Sequence, residues 1–203
     1  MYIVESIKET LFHQDIFDFG ALVLGLMYVL LMAQGRRVGW LAGILSCAII
    51  LWKDIVQYTL YADAGLQVYY IIMGGIGFGF WKRDRVAKGA FGTREWPLGR
   101  HIWIWIIGAM FSVTLGKWLS NTPAALPFID SITTVFAILA TGLMVLKLRS
   151  NWIYWMVIDA AYMYIYQRQG AYYFALLSFV YLVLSVYGYW SWKRVDSEIR
   201  VTY

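Results

Sequence analysis

Long apolar stretches alternate with short segments that contain charged residues, glycine or proline along the whole chain. Each apolar stretch is close to the roughly 20 residues that a helix needs to cross a hydrocarbon core of about 30 Å. Two stretches are shorter than this, and we expect them to extend toward Tyr61 and Gln167. The pattern therefore predicts seven membrane-spanning helices, at residues 17–33, 39–53, 65–81, 102–119, 128–146, 152–166 and 172–192.

Composition supports a membrane protein and argues against other classes. Of 203 residues, 61% are hydrophobic and 14% are charged, which is more apolar surface than a soluble domain of this size can bury. The single cysteine, Cys47, excludes an internal disulfide, and His13 and His101 lack metal-ligand spacing, so no metal or cofactor is predicted. The chain contains neither a nucleotide-binding fingerprint nor a nucleophile with a base, so we expect neither an enzyme nor an ATP-driven pump.

Basic residues predict the orientation of the seven spans. With seven crossings, 13 of the 17 Lys and Arg residues fall on one side and four on the other. The positive-inside rule places the larger set in the cytoplasm, with the N-terminus outside and the C-terminus inside. Topology then explains the net charge of +5 better than nucleic-acid binding does. The four outer residues are Lys8, Lys53, Lys117 and Arg168; the inner ones are Arg36, Arg37, Lys82, Arg83, Arg85, Lys88, Arg94, Arg100, Lys147, Arg149, Lys193, Arg194 and Arg200.

The two halves of the chain resemble each other. A first block, Asp18, Arg37 and Trp40, recurs with identical spacing as Asp130, Arg149 and Trp152. A second block, Tyr70, Gly77, Trp81, Lys82 and Arg83, recurs as Tyr181, Gly188, Trp192, Lys193 and Arg194. Ordered matches at a nearly constant offset indicate a duplication. We therefore predict a single domain of two parallel three-helix bundles, residues 17–83 and 128–194, joined by a linker helix at 102–119.

One stripe of span 6 carries candidate binding residues. Trp152, Trp155, Asp159, Tyr162 and Tyr166 follow one another at steps of three and four, so a helix presents them on one face. Aromatic stripes usually serve packing, but a carboxylate within a span costs at least about 2.5 kcal/mol and needs a partner or a task. Trp and Tyr faces stack on flat rings and attract cations. The stripe therefore predicts a site for a planar, cationic small molecule.

Other polar and small residues in the spans are less specific. Gln67, near the start of span 3, is a second candidate for binding. Asp18 and Asp130 lie near predicted outer helix ends, where capping explains them better. Small residues Gly43 and Cys47 occupy the repeat positions of Trp155 and Asp159, which leaves room for a ring opposite the aromatic wall. The four glycines of span 3 are expected to serve close helix packing: Gly74, Gly75, Gly77 and Gly79.

Several segments are distinctive: NWIYWMVID at 151–159, LYADAGLQ at 60–67, the repeat ends GFGFW and GYWSW, and PFIDS at 127–131. Together they resemble the PnuC-type vitamin transporters, distant relatives of the SWEET sugar transporters. The resemblance covers essentially the whole chain and implies a SWEET-like three-one-three helix layout in a bacterial inner membrane. It also implies a homo-oligomer, for which the family alone suggests a trimer. The activity that it implies is uptake of nicotinamide riboside by facilitated diffusion, with trapping by a cytosolic kinase.

The sequence leaves the substrate open between nicotinamide riboside, thiamine and other vitamin-like or nucleoside-like solutes. The resemblance assigns binding to Trp152, Trp155 and Asp159, and less directly to Gln67. Family members that carry nicotinamide riboside often have Asn at the positions of Asp159 and Cys47. Both nicotinamide riboside and thiamine are flat cations, so charge alone does not choose between them. An amide pairs best with Asn, whereas an ionised Asp only accepts hydrogen bonds, so thiamine or another vitamin or nucleoside-like solute is the alternative substrate. A membrane-embedded enzyme or a sensor is a remote alternative.

Overall fold

The computed structural model describes residues 4, 15–58, 61–88, 91–121 and 126–202. Lys8 and His13 lie outside the described residues, as do the side chains of Arg85, Lys88 and Arg200. Seven helices and one π-helical turn, Asp54–Tyr58, make up most of the described chain. The helices are α1 (Ile16–Ala33), α2 (Gly39–Lys53), α3 (Tyr61–Lys88), α4 (Leu98–Leu119), α5 (Pro127–Val145), α6 (Asn151–Arg168) and α7 (Tyr172–Thr202).

These helices coincide with the seven predicted spans. If α2 is taken together with the π-helical turn that follows it, six of them are long and apolar enough to cross a membrane, and α6 is the exception. Its Asn, Asp, Gln and Arg residues and its many Trp and Tyr side chains lower its hydropathy, because aromatic rings with polar atoms score as weakly apolar. The described chain is therefore an all-helical, multi-pass membrane protein. The grouping of its helices into parallel bundles of three with a linker stays a prediction.

The described residues within 1–93 and 187–203 form one compact unit. Within it α1 packs against α2, and α2 packs against α3. Glycines allow the second contact, because a Cβ at Gly74 would lie 2.7 Å from Ile44 and one at Gly77 would overlap the ring of Trp40. A Cβ at Gly75 or Gly79 would meet nothing within 4 Å. The packing role predicted for the glycines thus holds for two of the four.

Three buried tryptophans form the core at one end of this unit. Trp81 contacts Trp40 edge to face at 5.7 Å between ring centroids, and it contacts Trp192 at 5.9 Å. The indole Nε1 of Trp192 donates to the carbonyl oxygen of Met32 at 3.0 Å, and the neighbouring Ser191 hydroxyl donates to Ala33. These bonds satisfy carbonyls at the C-terminal end of α1, which have no partner within the helix itself.

Charged residues pair where α1 begins and α2 ends. The Asp15 carboxylate caps α1 by accepting hydrogen bonds from the backbone N–H groups of Phe17 and Asp18, both at 2.9 Å. The Asp18 carboxylate accepts in return from the Asp15 N–H, which completes a capping box. The capping role predicted for Asp18 is therefore confirmed. The ammonium of Lys53, only 3% exposed, pairs with both carboxylates.

Residues 94–186 form the second unit. In it α4 packs against α5, and α5 packs against α6. Small residues on α4 admit α5 closely: Gly108 faces Phe136 and Leu139, and Gly116 faces Phe128. Beside them the Ser131 hydroxyl of α5 donates to the Ser112 carbonyl of α4 at 2.8 Å. The apolar core beyond this contact consists of Ala137, Ala140, Leu143, Leu148, Tyr154 and Ile158.

The turn from α1 to α2 and the turn from α5 to α6 share one hydrogen-bonding pattern. In each, the second residue after the helix has a positive φ, +67° at Gly35 and +58° at Lys147, and these two positions correspond in the predicted repeat. The next N–H bonds back to the carbonyl five residues earlier, from Arg36 to Leu31 and from Leu148 to Leu143. This is a Schellman-type helix end. The duplication stays a prediction, to which this shared turn adds a structural observation.

Candidate substrate-binding site

Helix α6 carries the predicted stripe and is fixed within the second unit by its other faces. Asn151, at its first position, donates from Nδ2 to the Leu148 carbonyl of the preceding turn at 2.6 Å. The Tyr154 hydroxyl lies 3.2 Å from Nδ1 of His101 on α4. Glu95 lies near Nε2 of the same imidazole and pairs with Arg149 at 3.2 Å. These contacts hold the start of α6 against α4 and the segment before it.

The members of the stripe differ in accessibility. Trp152 is only 1% exposed, which leaves its ring no free face for a solute in this conformation. Trp155, Tyr162 and Tyr166 are half-buried, so part of each ring stays accessible. Tyr162 and Tyr166 stack on each other at 5.9 Å between centroids, with 18° between the ring planes. A half-buried aromatic wall thus runs along α6 from Trp155 to Tyr166.

Asp159 lies within this wall and is 7% exposed. Its Oδ2 accepts a hydrogen bond from the Ser185 hydroxyl of α7 at 3.0 Å. Among the described residues this neutral hydroxyl is the carboxyl group's one polar partner, and no Lys, Arg or His pairs with it. A carboxylate in such surroundings lacks the charge compensation that buried ions usually have. It is therefore suited to bind a cation or a hydrogen-bond donor.

An apolar groove of about 300 Å³ lies on the other side of α6. Its walls include Trp105 and Phe136, together with Ile153, Val157 and Ala161 of α6. By helical periodicity these α6 residues point away from the stripe that holds Asp159. Several of them are exposed, as expected of side chains that face lipid. The groove is thus separate from the candidate site.

The chain matches a known family over most of its length. The model of the nicotinamide mononucleotide transporter family matches residues 15–194. The chain belongs to this family. As a member of it, the chain is a membrane transporter rather than an enzyme, and its predicted resemblance to the PnuC-type transporters is confirmed.

Curated relatives of this transporter include two proteins named nicotinamide riboside transporter PnuC. The one from Neisseria mucosa is 26% identical over 194 residues, which cover 86% of this chain and 71% of the relative. The one from Haemophilus influenzae is 21% identical over 179 residues, which cover 84% and 76%. A crystal structure of the vitamin B3 transporter PnuC is 23% identical, with a TM-score of 0.73 over 98% of this chain and 89% of that one. This last likeness shows that the two share a fold.

The other residues considered in the sequence analysis lie outside helix α6 of this transporter. Gln67 is half-buried near the start of α3, in the first unit, whereas the α6 stripe belongs to the second. Its role in binding stays a prediction, as do those of the stripe residues. Cys47, the repeat counterpart of Asp159, is a free thiol, half-buried on α2. Asp130 is exposed in the first turn of α5.

Sequence reasoning missed Ser185, the hydroxyl partner of Asp159. One serine in an apolar helix carries no signal by itself. A pattern was available, however, because Ser178, Ser185 and Trp192 are evenly spaced, two helical turns apart, and all are buried. Such spacing places them on one inward face of α7. A polar residue on that face, across from a helix with a buried carboxyl, could have been named as a partner.

Proposed function

We propose that this transporter carries nicotinamide riboside across the membrane. The names of the relatives support this substrate. Within the chain, the buried carboxylate of Asp159 is the observation that supports it. The nicotinamide ring of the riboside is a flat cation, so it can stack on a half-buried ring such as Trp155 and supply the charge that the carboxylate lacks. A buried carboxylate without its own cation favours a solute that brings one.

The same site favours the riboside over the mononucleotide in the family's name. A phosphate group needs Arg, Lys or a set of backbone N–H groups to compensate its charge. Around Asp159 the described residues supply aromatic rings and one serine hydroxyl, and no basic side chain pairs with the carboxyl. The phosphate of a mononucleotide would add a repulsive charge there. We therefore place nicotinamide mononucleotide outside the substrate range.

Thiamine is the second candidate, and one residue favours it. Asp at position 159 accepts hydrogen bonds only, whereas a carboxamide pairs best with a group that both donates and accepts. Thiamine offers a cationic thiazolium and an aminopyrimidine with N–H donors, and both suit a carboxylate. Nicotinamide riboside can avoid this mismatch if its charged ring, rather than its amide, faces Asp159.

We further propose how the transporter works in the cell. Transport by facilitated diffusion, followed by phosphorylation of the solute by a separate cytosolic kinase, fits a chain whose sequence has no nucleotide-binding motif. The distribution of Lys and Arg supports an outward N-terminus and a cytoplasmic C-terminus. A bacterial inner membrane agrees with the bacterial origin of both relatives. The resemblance to the PnuC type is the basis for a homo-oligomer.

Uptake into sealed vesicles tests this proposal. We expect purified protein in liposomes to equilibrate labelled nicotinamide riboside without ATP or an ion gradient, and to exclude nicotinamide mononucleotide. Competition by unlabelled thiamine then ranks the two candidate solutes. Entry of thiamine alone would make it the substrate, and entry of neither solute into vesicles that hold folded protein would contradict the proposal. A strict need for ATP or a gradient would refute facilitated diffusion.

A further inference from the structure

The hydrogen bond between Ser185 and Asp159 differs from the hydrogen bonds that other serine and threonine hydroxyls of the described helices donate. Ser46, Ser131, Thr141 and Ser178 are all buried, and each donates to a backbone carbonyl oxygen. Ser185 is equally buried, at 3% exposed, yet its hydroxyl donates 3.0 Å to the Oδ2 of a side chain. A hydroxyl that donates to a backbone carbonyl serves helix packing. The Ser185 hydroxyl instead contacts the Asp159 carboxyl, the group proposed to bind the solute.

We propose that Ser185 is a positioning residue that orients the Asp159 carboxyl for the transported solute. The inference rests on the proposed function, in which Asp159 contacts that solute. By donating to Oδ2, the Ser185 hydroxyl restricts rotation of the carboxyl group and uses one of the roughly four acceptor positions of the carboxylate. The remaining acceptor positions are left for a cation or a hydrogen-bond donor of the solute.

The predicted internal repeat allows Asp159 and Ser185 to be compared with the corresponding residues of the first half of the chain. When the two repeats are aligned, Ser185 corresponds to Gly74 and Asp159 corresponds to Cys47. Gly74 has no side chain, and its surface is filled by Ile44 of α2. The first repeat thus lacks any equivalent of the pair. Orientation of a carboxyl group by a serine is therefore a feature of the second repeat.

Infrared spectroscopy tests the contact itself without any solute. The difference spectrum between the native protein and Asp159→Asn isolates the bands of this carboxyl group. We expect Ser185→Ala to shift those bands, because a hydrogen bond to Oδ2 is lost, and Ser185→Thr to restore them. Ser178→Ala is the matched control, since Ser178 lies two turns away on the same helix with its hydroxyl on the Phe174 carbonyl. Equal spectra for Ser185→Ala and the native protein would overturn the inference.

A binding cycle with nicotinamide riboside and thiamine as probes tests the consequence. We expect Ser185→Ala to weaken binding roughly tenfold, as for loss of a hydrogen bond to a charged group. Ser185→Thr should restore most of the affinity, and Ser178→Ala should change it by less than about twofold. In an Asp159→Asn background, Ser185→Ala should cost less than about twofold, because the two residues act as a unit.

The outcomes separate this inference from the proposed function. If Asp159→Asn weakens binding but Ser185→Ala behaves like Ser178→Ala, Ser185 has no positioning role and the inference is overturned. A full loss on Ser185→Ala that persists in the Asp159→Asn background would mark Ser185 as a structural residue, which also overturns it. If Asp159→Asn leaves the affinity unchanged, the role of Asp159 in the proposed function fails. The infrared comparison still reports on the contact in that case.

Discussion

Close packing of α2 on α3 predicts that alanine at Gly77 will destabilise the protein, whereas alanine at Gly79 will not. A Cβ at Gly77 would lie 2.6 Å from Cζ2 of Trp40 and 2.8 Å from its Cδ2, far inside contact distance. Trp40 is 2% exposed and already contacts Trp81, so its ring has no space to move into. A Cβ at Gly79 would meet nothing within 4 Å.

The magnitude follows from two opposing effects. Overpacking in a core costs about 1–3 kcal/mol, while replacing a helical glycine by alanine gains about 0.5–1 kcal/mol. Gly77→Ala should therefore lower the free energy of unfolding by about 1–2 kcal/mol, and Gly79→Ala should raise it by up to about 1 kcal/mol. The two variants should differ by about 1–3 kcal/mol in the free energy of unfolding, which is roughly 2–12 °C in Tm for a chain of this size. Tryptophan fluorescence during unfolding in mixed micelles measures both, and equal stability of the two variants would refute the packing argument.

Three further predictions test other parts of the account. Trp192→Phe should destabilise the protein by about 0.5–1.5 kcal/mol in the same unfolding assay, because the Met32 carbonyl loses its indole donor and keeps the Gly35 N–H; unchanged stability would contradict this. The Asp18 N–H and the Lys53 ammonium hold the pKa of the Asp15 carboxyl below its usual range, so its charge stabilises the fold above its ordinary pKa of about 3.9. The Tm difference between the native protein and Asp15→Asn should be full at pH 7 and vanish as the pH falls through that depressed pKa; a constant difference would argue against a charge effect. In a Cys47→Ala background, Ser120→Cys should react with an impermeant maleimide in intact cells and Arg194→Cys only after lysis; the reverse would invert the proposed topology.

Helix positions were predictable because membrane crossing imposes a length and a composition. Span 39–53 was predicted to the residue, and α1 begins one residue before its predicted start. Helices α3 and α7 continue past the predicted ends to Lys88 and Thr202. Hydropathy marks only the part of a helix that lipid can cover, so a helix that continues with polar residues gives no signal there.

The site was harder to predict than the fold because periodicity shows which residues share a face but not what covers that face. The stripe residues lie on one face of α6, yet they include both the fully buried Trp152 and the half-buried Trp155. A sequence pattern treats the two as equal. Ser185 is distant from Asp159 along the chain, and only the packing of α7 brings it to the carboxyl. The same holds for the ion pairs of Lys53 with acidic residues at the start of α1. The predicted topology placed these groups on the same side of the membrane but could not show that they are in contact.

The central claim is that Asp159 receives the positive charge of the transported solute. Nicotinamide riboside and its reduced form test it directly, because they share ribose and carboxamide and differ in the charge of the ring. We predict that the native protein binds the cationic form at least about tenfold more tightly than the neutral one, a preference of roughly 1.4 kcal/mol, and that Asp159→Asn removes this preference while keeping its fold. If the native protein binds both forms equally, or the Asn variant still prefers the cation, the account of this site is wrong.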